Sequence, residues 1–174
     1  RNFLNGDEVL ITACERENIQ WIRERAAALG EVTGSSRFRE LARLANEAKP
    51  VLKTHDRFGQ RIDFVEFHPA YHELIAETYR SEVHSLPWTT TEPRSHTART
   101  ILFYLWNQVE NGIVGCANLM SFAVVPLLRS DPDIGGRWLD GILSTEYDPR
   151  PLHADEKSGI TVAMAMTEKQ GGSD

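Results

Sequence analysis

Apolar positions recur at helical spacing over most of the chain. Asp7 is set as the N-cap of a helix to about Leu29 that carries Val9, Leu10, Ala13, Trp21, Ile22 and Ala26, with Gly30 as a left-handed stop. Ser35 or Ser36 opens a second helix bearing Phe38, Leu41, Leu44, Ala45 and Ala48, which Lys49-Pro50 ends because the residue before proline leaves the α region. Between Val51 and Phe67 the pattern shortens to extended pieces around Phe58-Gly59, a loop or small hairpin. His68-Pro69 then starts a helix with proline at its tolerant first position, and Tyr71, Leu74, Ile75 and Tyr79 line one face toward Val83 before Leu86-Pro87-Trp88 breaks it. From Ser95 to Gly112 a helix is apolar almost all round, through Ile101, Leu102, Phe103, Tyr104, Leu105, Trp106 and Val109, which predicts a central position. After a turn at 112–115, Cys116 to Leu128 reads as another buried helix, and a short one follows at Trp138 to Leu143. Tyr147 to Pro151 is a loop, and Gly159 to Met166 is the only convincing strand.

The expected fold class is therefore all-α: about six packed helices, with one strand leaving the bundle at its C-terminal end. Neither an internal repeat nor a low-complexity segment appears in the 174 residues, which suffice for one good core and would crowd a second. An apolar share of 41% and a charged share of 25% are those of an ordered globular protein.

Charge narrows the function classes. A net charge of -6 and a pI near 5.5 argue against a phosphate-binding surface, since non-specific DNA affinity comes from Lys and Arg displacing counterions. Cys14 and Cys116 lie far apart with no metal-ligand partner nearby, and are expected to be buried thiols of a cytoplasmic protein. The run from Ile113 to Leu128 is interrupted by Gly115, Asn118 and Pro126, so no membrane span is expected. Arg1 at the start, and Gly171-Gly172 just before Asp174, lead us to expect a piece of something longer.

The chemistry gathers in Met166-Thr167-Glu168-Lys169-Gln170-Gly171-Gly172-Ser173-Asp174. An apolar strand ending in Thr, then a Gly pair and Ser, presents hydroxyls and free backbone N–H groups suited to a polar ring edge and a phosphate. By chemistry alone an ordinary strand-to-loop turn rich in Gly and Ser looks the same. The segment nevertheless resembles the Thr-Glu-x-x-x-Gly-Ser-Asp junction of acyl-CoA dehydrogenases, in the form found in the AidB-like branch of that family. Other stretches agree with that branch in order and spacing: Leu41 to Asn46, Arg61 to Asp63, Phe67 to His72, Val83 to Trp88, Ser121 to Ala123, Pro126 to Leu128, and Leu143-Ser144 to Tyr147-Asp148.

The resemblance implies a fold of N-terminal helical domain, middle β-barrel and C-terminal helical bundle, usually a homotetramer. Residues 1–158 would be the first of these and 159–174 the start of the β-domain. It further implies FAD as cofactor and acyl-CoA as substrate. Thr167 would hydrogen-bond the pyrimidine edge of the flavin, Ser173 would reach the pyrophosphate, and Met166 and Gly172 would follow the cofactor's outline. The family's catalytic carboxylate belongs to the C-terminal bundle, so no catalytic residue is assigned, and FAD is not expected to be retained by these residues alone. A rival reading implied by the same branch is a DNA-binding role in the response to alkylation damage, through a basic C-terminal region not in this chain. A blander one is a helical interaction domain with a Gly-Gly-Ser linker.

Two further sets of residues have competing accounts. Asn118, Met120 and Phe122 stand where such enzymes wall the acyl pocket, yet a buried helix needs apolar residues whatever its function. His68 and His72, four apart at a helix start, lack a third ligand, so capping or packing is the better account and no metal is expected.

Overall fold

Eight α-helices and one two-stranded sheet make up the described part of the computed structural model, residues 1–109, 112–165 and 169. Helix α1 (Glu8–Arg16) is capped by the Asp7 carboxylate, which accepts from the Leu10 N–H at 2.8 Å. The single helix expected to run to Leu29 is instead two. The chain leaves α1 through Asn18, which is left-handed (φ 53°), passes a 3₁₀ turn at Gln20–Ile22, and enters α2 (Arg23–Thr33). Asparagine tolerates that conformation better than most residues. Gly30 is therefore not a stop. It lies inside α2, where a Cβ would come within 2.8 Å of Leu4 N and Asn2 Oδ1, so its missing side chain lets the N-terminal strap tuck in. Asn2 locks the strap by donating to Ala27 O at 2.8 Å.

Helix α3 (Ser36–Glu47) begins where Ser35 Oγ accepts from Phe38 N, and α4 (Pro69–Arg80) where His68 Nδ1 accepts from Ala70 N. Between them, β1 (Val51–His55) and β2 (Arg61–Glu66) form an antiparallel hairpin. Its turn is built by Asp56, whose carboxylate accepts from Phe58 N and Gln60 N, and by Gly59 at φ +82°. Leu86-Pro87-Trp88 does not merely break α4, since Leu86–Thr89 forms the one-turn helix α5. Helix α6 (Ser95–Trp106) follows, then α7 (Gly112–Arg129) and α8 (Pro132–Leu143), the last capped by Asp131. The turn expected at 112–115 is helical.

One core joins these elements. Helix α6 packs on α2 and α5, α3 on α4, and α7 on α4 and α8. Ile22, Leu29, Leu74, Ile75, Leu102, Leu105 and Trp106 are fully buried, with Phe38 meeting Trp106 edge to face at 5.3 Å. Trp106 thus occupies the central position expected of it, while Phe103 is only half-buried. Of the two thiols expected inside, Cys14 is buried and Cys116 is exposed, because Cys116 falls on the outer face of α7.

The strand expected at 159–166 does not form over its described part. Residues 159–165 pair with no strand, and among the described residues the sheet is confined to the hairpin. An apolar run becomes a strand only when a ladder partner takes its backbone groups. Here they go to helices instead.

Candidate functional site

The run from Gly159 to Ala165 leads into the segment that the sequence singled out, and helices α4, α7 and α8 fix its course. Gly159 passes so close to the Glu146 carbonyl that a Cβ would lie 1.8 Å from its oxygen. Only glycine fits that crossing. Ile160 N donates to Gly141 O at 3.0 Å, and Ile160 O accepts from the Tyr79 hydroxyl. Val162 N donates to Ser121 Oγ at 3.1 Å, and Met164 N to the Met120 sulfur at 3.2 Å. Three helices thus hold the backbone at residues 160, 162 and 164, alternate positions along the run. A shallow, mainly apolar recess of about 300 Å³, walled by Val124, Leu128, Trp138 and Ile142, lies alongside it.

Behind this run is a polar seam. Tyr79 stacks on His84 with ring centroids 4.1 Å apart, and both are buried. Burial pushes the Tyr79 phenol well above its usual range and pulls the His84 imidazole down to about 4, although His84 Nε2 lies 3.1 Å from Ser144 O. His84 is therefore neutral at pH 7. His72 pairs with the Tyr147 hydroxyl at 2.8 Å, and desolvation, followed by the nearby Lys157 charge, lowers its pKa. His68 caps α4 and His72 packs against Tyr147, the roles expected of them. Among the described residues no group of three His, Cys, Asp or Glu side chains is placed to hold a metal.

Arg99 is a buried charge within the bundle. Its Nε donates to Val83 O at 2.8 Å, and its guanidinium lies over the faces of Phe103 (4.4 Å) and Phe122 (4.2 Å). Desolvation lowers it to about 10, which leaves it charged at neutral pH. Nothing in the sequence pattern marked Arg99, since an Arg in an apolar helix reads as a surface position.

The three residues weighed as a pocket wall separate in space. Asn118 faces inward on α7, buried, with neither end of its amide hydrogen-bonded among the described residues. Met120 supports Met164, and Phe122 packs on Trp88 and Arg99. The cofactor candidates Met166, Thr167, Gly172 and Ser173 lie outside the described residues. What is described is the approach to them: an anchored run, an apolar recess, and the outward face of α7.

Residues 1–149 match the family described as the adaptive response protein AidB N-terminal domain. The chain is 38% identical over 175 residues to AidB of Escherichia coli (strain K12), whose name places it with the acyl-CoA dehydrogenases; the match takes in 99% of this chain and 32% of the relative. The chain thus spans about a third of that curated relative's length. Among solved structures, Bd2924 in its apo-form matches with a TM-score of 0.82 at 22% identity, over 100% of this chain and 34% of the other. Caenorhabditis elegans ACDH-11 in complex with C11-CoA matches with a TM-score of 0.81 at 20% identity, over 100% and 29%. At those identities the two structures show a shared fold.

Proposed function

The chain belongs to the AidB N-terminal domain family, and from that premise we propose that it is the N-terminal helical domain of an FAD-dependent, acyl-CoA dehydrogenase-like flavoprotein. The observation that carries this reading is the order of parts: a family match over residues 1–149, then a run anchored on α4, α7 and α8, then the Thr-Glu-x-x-x-Gly-Ser-Asp segment. Residues 159–174 open the middle domain of a chain of the relative's length. Thr167 would hold the pyrimidine edge of the flavin there and Ser173 the pyrophosphate, with Met166 and Gly172 along the cofactor's outline. When bound, FAD supplies the acceptor for the β-hydride of an acyl-CoA as the α-proton leaves to a base. No residue of this chain is that base.

The anchors fit such a task. Hydrogen bonds with Tyr79, Ser121 and Gly141 fix the course of the run that precedes Thr167 in sequence. The apolar recess and the outer face of α7 give a large ring system a dry wall beside it. The C11-CoA held by ACDH-11 supports an acyl-CoA as the substrate class, and assembly of the longer protein as a tetramer is part of the same reading. The family's description as an adaptive response protein favours a second role, in the response to DNA alkylation. DNA contact would then fall outside these residues, whose net charge is -6.

In a flavin-loaded protein of the relative's length, Thr167→Ala and Ser173→Ala should each weaken FAD retention by about 0.5 to 1.5 kcal/mol, the net worth of one hydrogen bond. Fluorescence titration of the apoprotein with FAD measures this. Unchanged affinity in both variants removes the assignment. The 174-residue chain mixed with excess FAD should leave a desalting column colourless, because a few hydrogen bonds cannot offset the roughly 4 kcal/mol or more of immobilising a cofactor.

A further inference from the structure

Helix α7 carries a proline inside it, Pro126, and stays helical to Arg129. A proline has no N–H to give to the carbonyl four residues back, and its ring presses on that same carbonyl. Here that carbonyl belongs to Phe122. Its helical donor is missing, so a partner has to come from outside the helix.

Trp88 supplies it. From the one-turn helix α5, its indole Nε1–H donates to Phe122 O at 3.1 Å. The bond is held from both helices. On the α5 side, Leu86 is fully buried and the element packs on α6. The indole ring lies tilted against Phe122 with centroids 5.3 Å apart, and meets His96 of α6 edge to face at 4.9 Å. On the α7 side, Arg129 reaches back past the proline: its Nη2 donates to Trp88 O at 2.7 Å, and its guanidinium lies 5.5 Å from the centre of the indole. Helix α7 is thus tied to Trp88 on both sides of Pro126, at Phe122 before it and at Arg129 after it. Filling space would need only the ring, whereas the single donor of this side chain points at the carbonyl that the proline frees.

The neighbours of Phe122 show what the bond controls. Ser121 accepts from Val162 N and Met120 from Met164 N, while Val124 and Leu128 wall the apolar recess. All four belong to the stretch of α7 around the freed carbonyl. We propose that Trp88 is a positioning residue, whose indole N–H completes α7 across Pro126 and so sets where Ser121 and Met120 hold the run that precedes Thr167. Its bearing on flavin rests on the function proposed above. Its hold on the run does not.

The test is a double-mutant cycle on the 174-residue chain, read by NMR at the Val162 amide. Trp88→Phe keeps a ring and removes the donor, and should speed hydrogen exchange at Val162 about tenfold, the worth of one hydrogen bond in a local opening. The Val162 amide proton should also move upfield as its bond to Ser121 lengthens. In the Pro126→Ala background residue 126 again donates to Phe122 O, so there the same substitution should change exchange by less than about twofold and leave the chemical shift in place. A packing role alone gives equal effects in both backgrounds, and that result overturns the proposal, as does a Val162 amide indifferent to Trp88→Phe. Should Trp88→Phe fail to fold, Pro126→Ala with Trp88 intact decides: residue 126 then competes for Phe122 O, and the Trp88 indole N–H should exchange about tenfold faster than in the wild-type chain. An indole N–H that ignores Pro126→Ala overturns the proposal too. None of these measurements uses flavin, so an FAD affinity untouched by Thr167→Ala would remove the functional reading and leave the role of Trp88 standing.

Discussion

Helices α6 and α7 are both strongly apolar in sequence, α7 more so, yet they end in different environments. Helix α6 buries Ala98, Arg99, Ile101, Leu102, Leu105 and Trp106 against α2 and α5 and leaves Tyr104 outside. Helix α7 buries the inner row Val114, Asn118, Ser121 and Val125, and exposes Cys116, Leu119, Ala123 and Leu127 on the other side. Apolarity in a sequence says that cover is needed, not where the cover comes from. For α6 it comes from within these residues. For the outer face of α7 the described residues supply none, and the curated relative is about three times as long.

The sharpest way to break this contrast is to cut into α6. Leu102 is fully buried, so Leu102→Ala should cost about 2 to 5 kcal/mol in urea unfolding, as removal of a packed leucine leaves a partly unfilled cavity. A cost under about 1 kcal/mol would mean that α6 is not the sealed element described here.

Much of this organisation was legible in the sequence, and what was missed has physical causes. The caps at Asp7 and Ser35 and the His68-Pro69 start were readable because each is a local rule, a side chain or ring set by its own neighbours. The break at Asn18 was not, since asparagine inside a periodic stretch has no compulsory conformation, and the fold chose the left-handed one. Gly30 was assigned to a stop when it serves close packing against Leu4, a contact that depends on where the N-terminal strap goes. Gly159 to Met166 has strand composition, and its described part is held by side chains of α4 and α7 and the Gly141 carbonyl, which no periodicity records. The cofactor segment was named from its motif, and its residues lie outside those described. The polar seam behind its approach was missed altogether. Tyr79 lies in the pattern that runs toward Val83, Ser121 in that of Cys116 to Leu128, and His84 between elements, and only the tertiary fold brings them to one place.

That seam offers a pH test at the joint between the two helices' surroundings. His84 is buried and neutral with a pKa near 4, against about 6.5 when unfolded. Between those values the unfolded chain binds the extra proton, so the stability this group contributes is complete above pH 6.5 and is lost as pH falls toward 4. The loss between pH 7 and pH 4.5 should be about 2 to 3 kcal/mol, read by urea unfolding. Asp148, held far below the usual carboxylate range by Arg150, stays ionised in the fold through that window and loses its contribution only in stronger acid. His84→Gln, which cannot take up the proton, should flatten the dependence between pH 6.5 and 4.5. A variant as acid-sensitive as the wild type would assign the loss to other groups.

The smallest expected effect decides the contrast most directly. Leu127 is 69% exposed on the outer face of α7, so in the 174-residue chain Leu127→Ser removes little buried area and should change unfolding stability by no more than about 0.5 kcal/mol. In a protein of the relative's length, where further chain would cover that face, the same substitution should cost about 1.5 to 3 kcal/mol, the worth of burying one leucine. The difference between the two measurements isolates the cover itself, because the helix, its propensity and its inner row are common to both. A large cost in the short chain would mean that the outer face is covered there, for instance by a second copy, and that α6 and α7 differ less than their exposures indicate. A small cost in both would leave the face open to water in the longer protein as well.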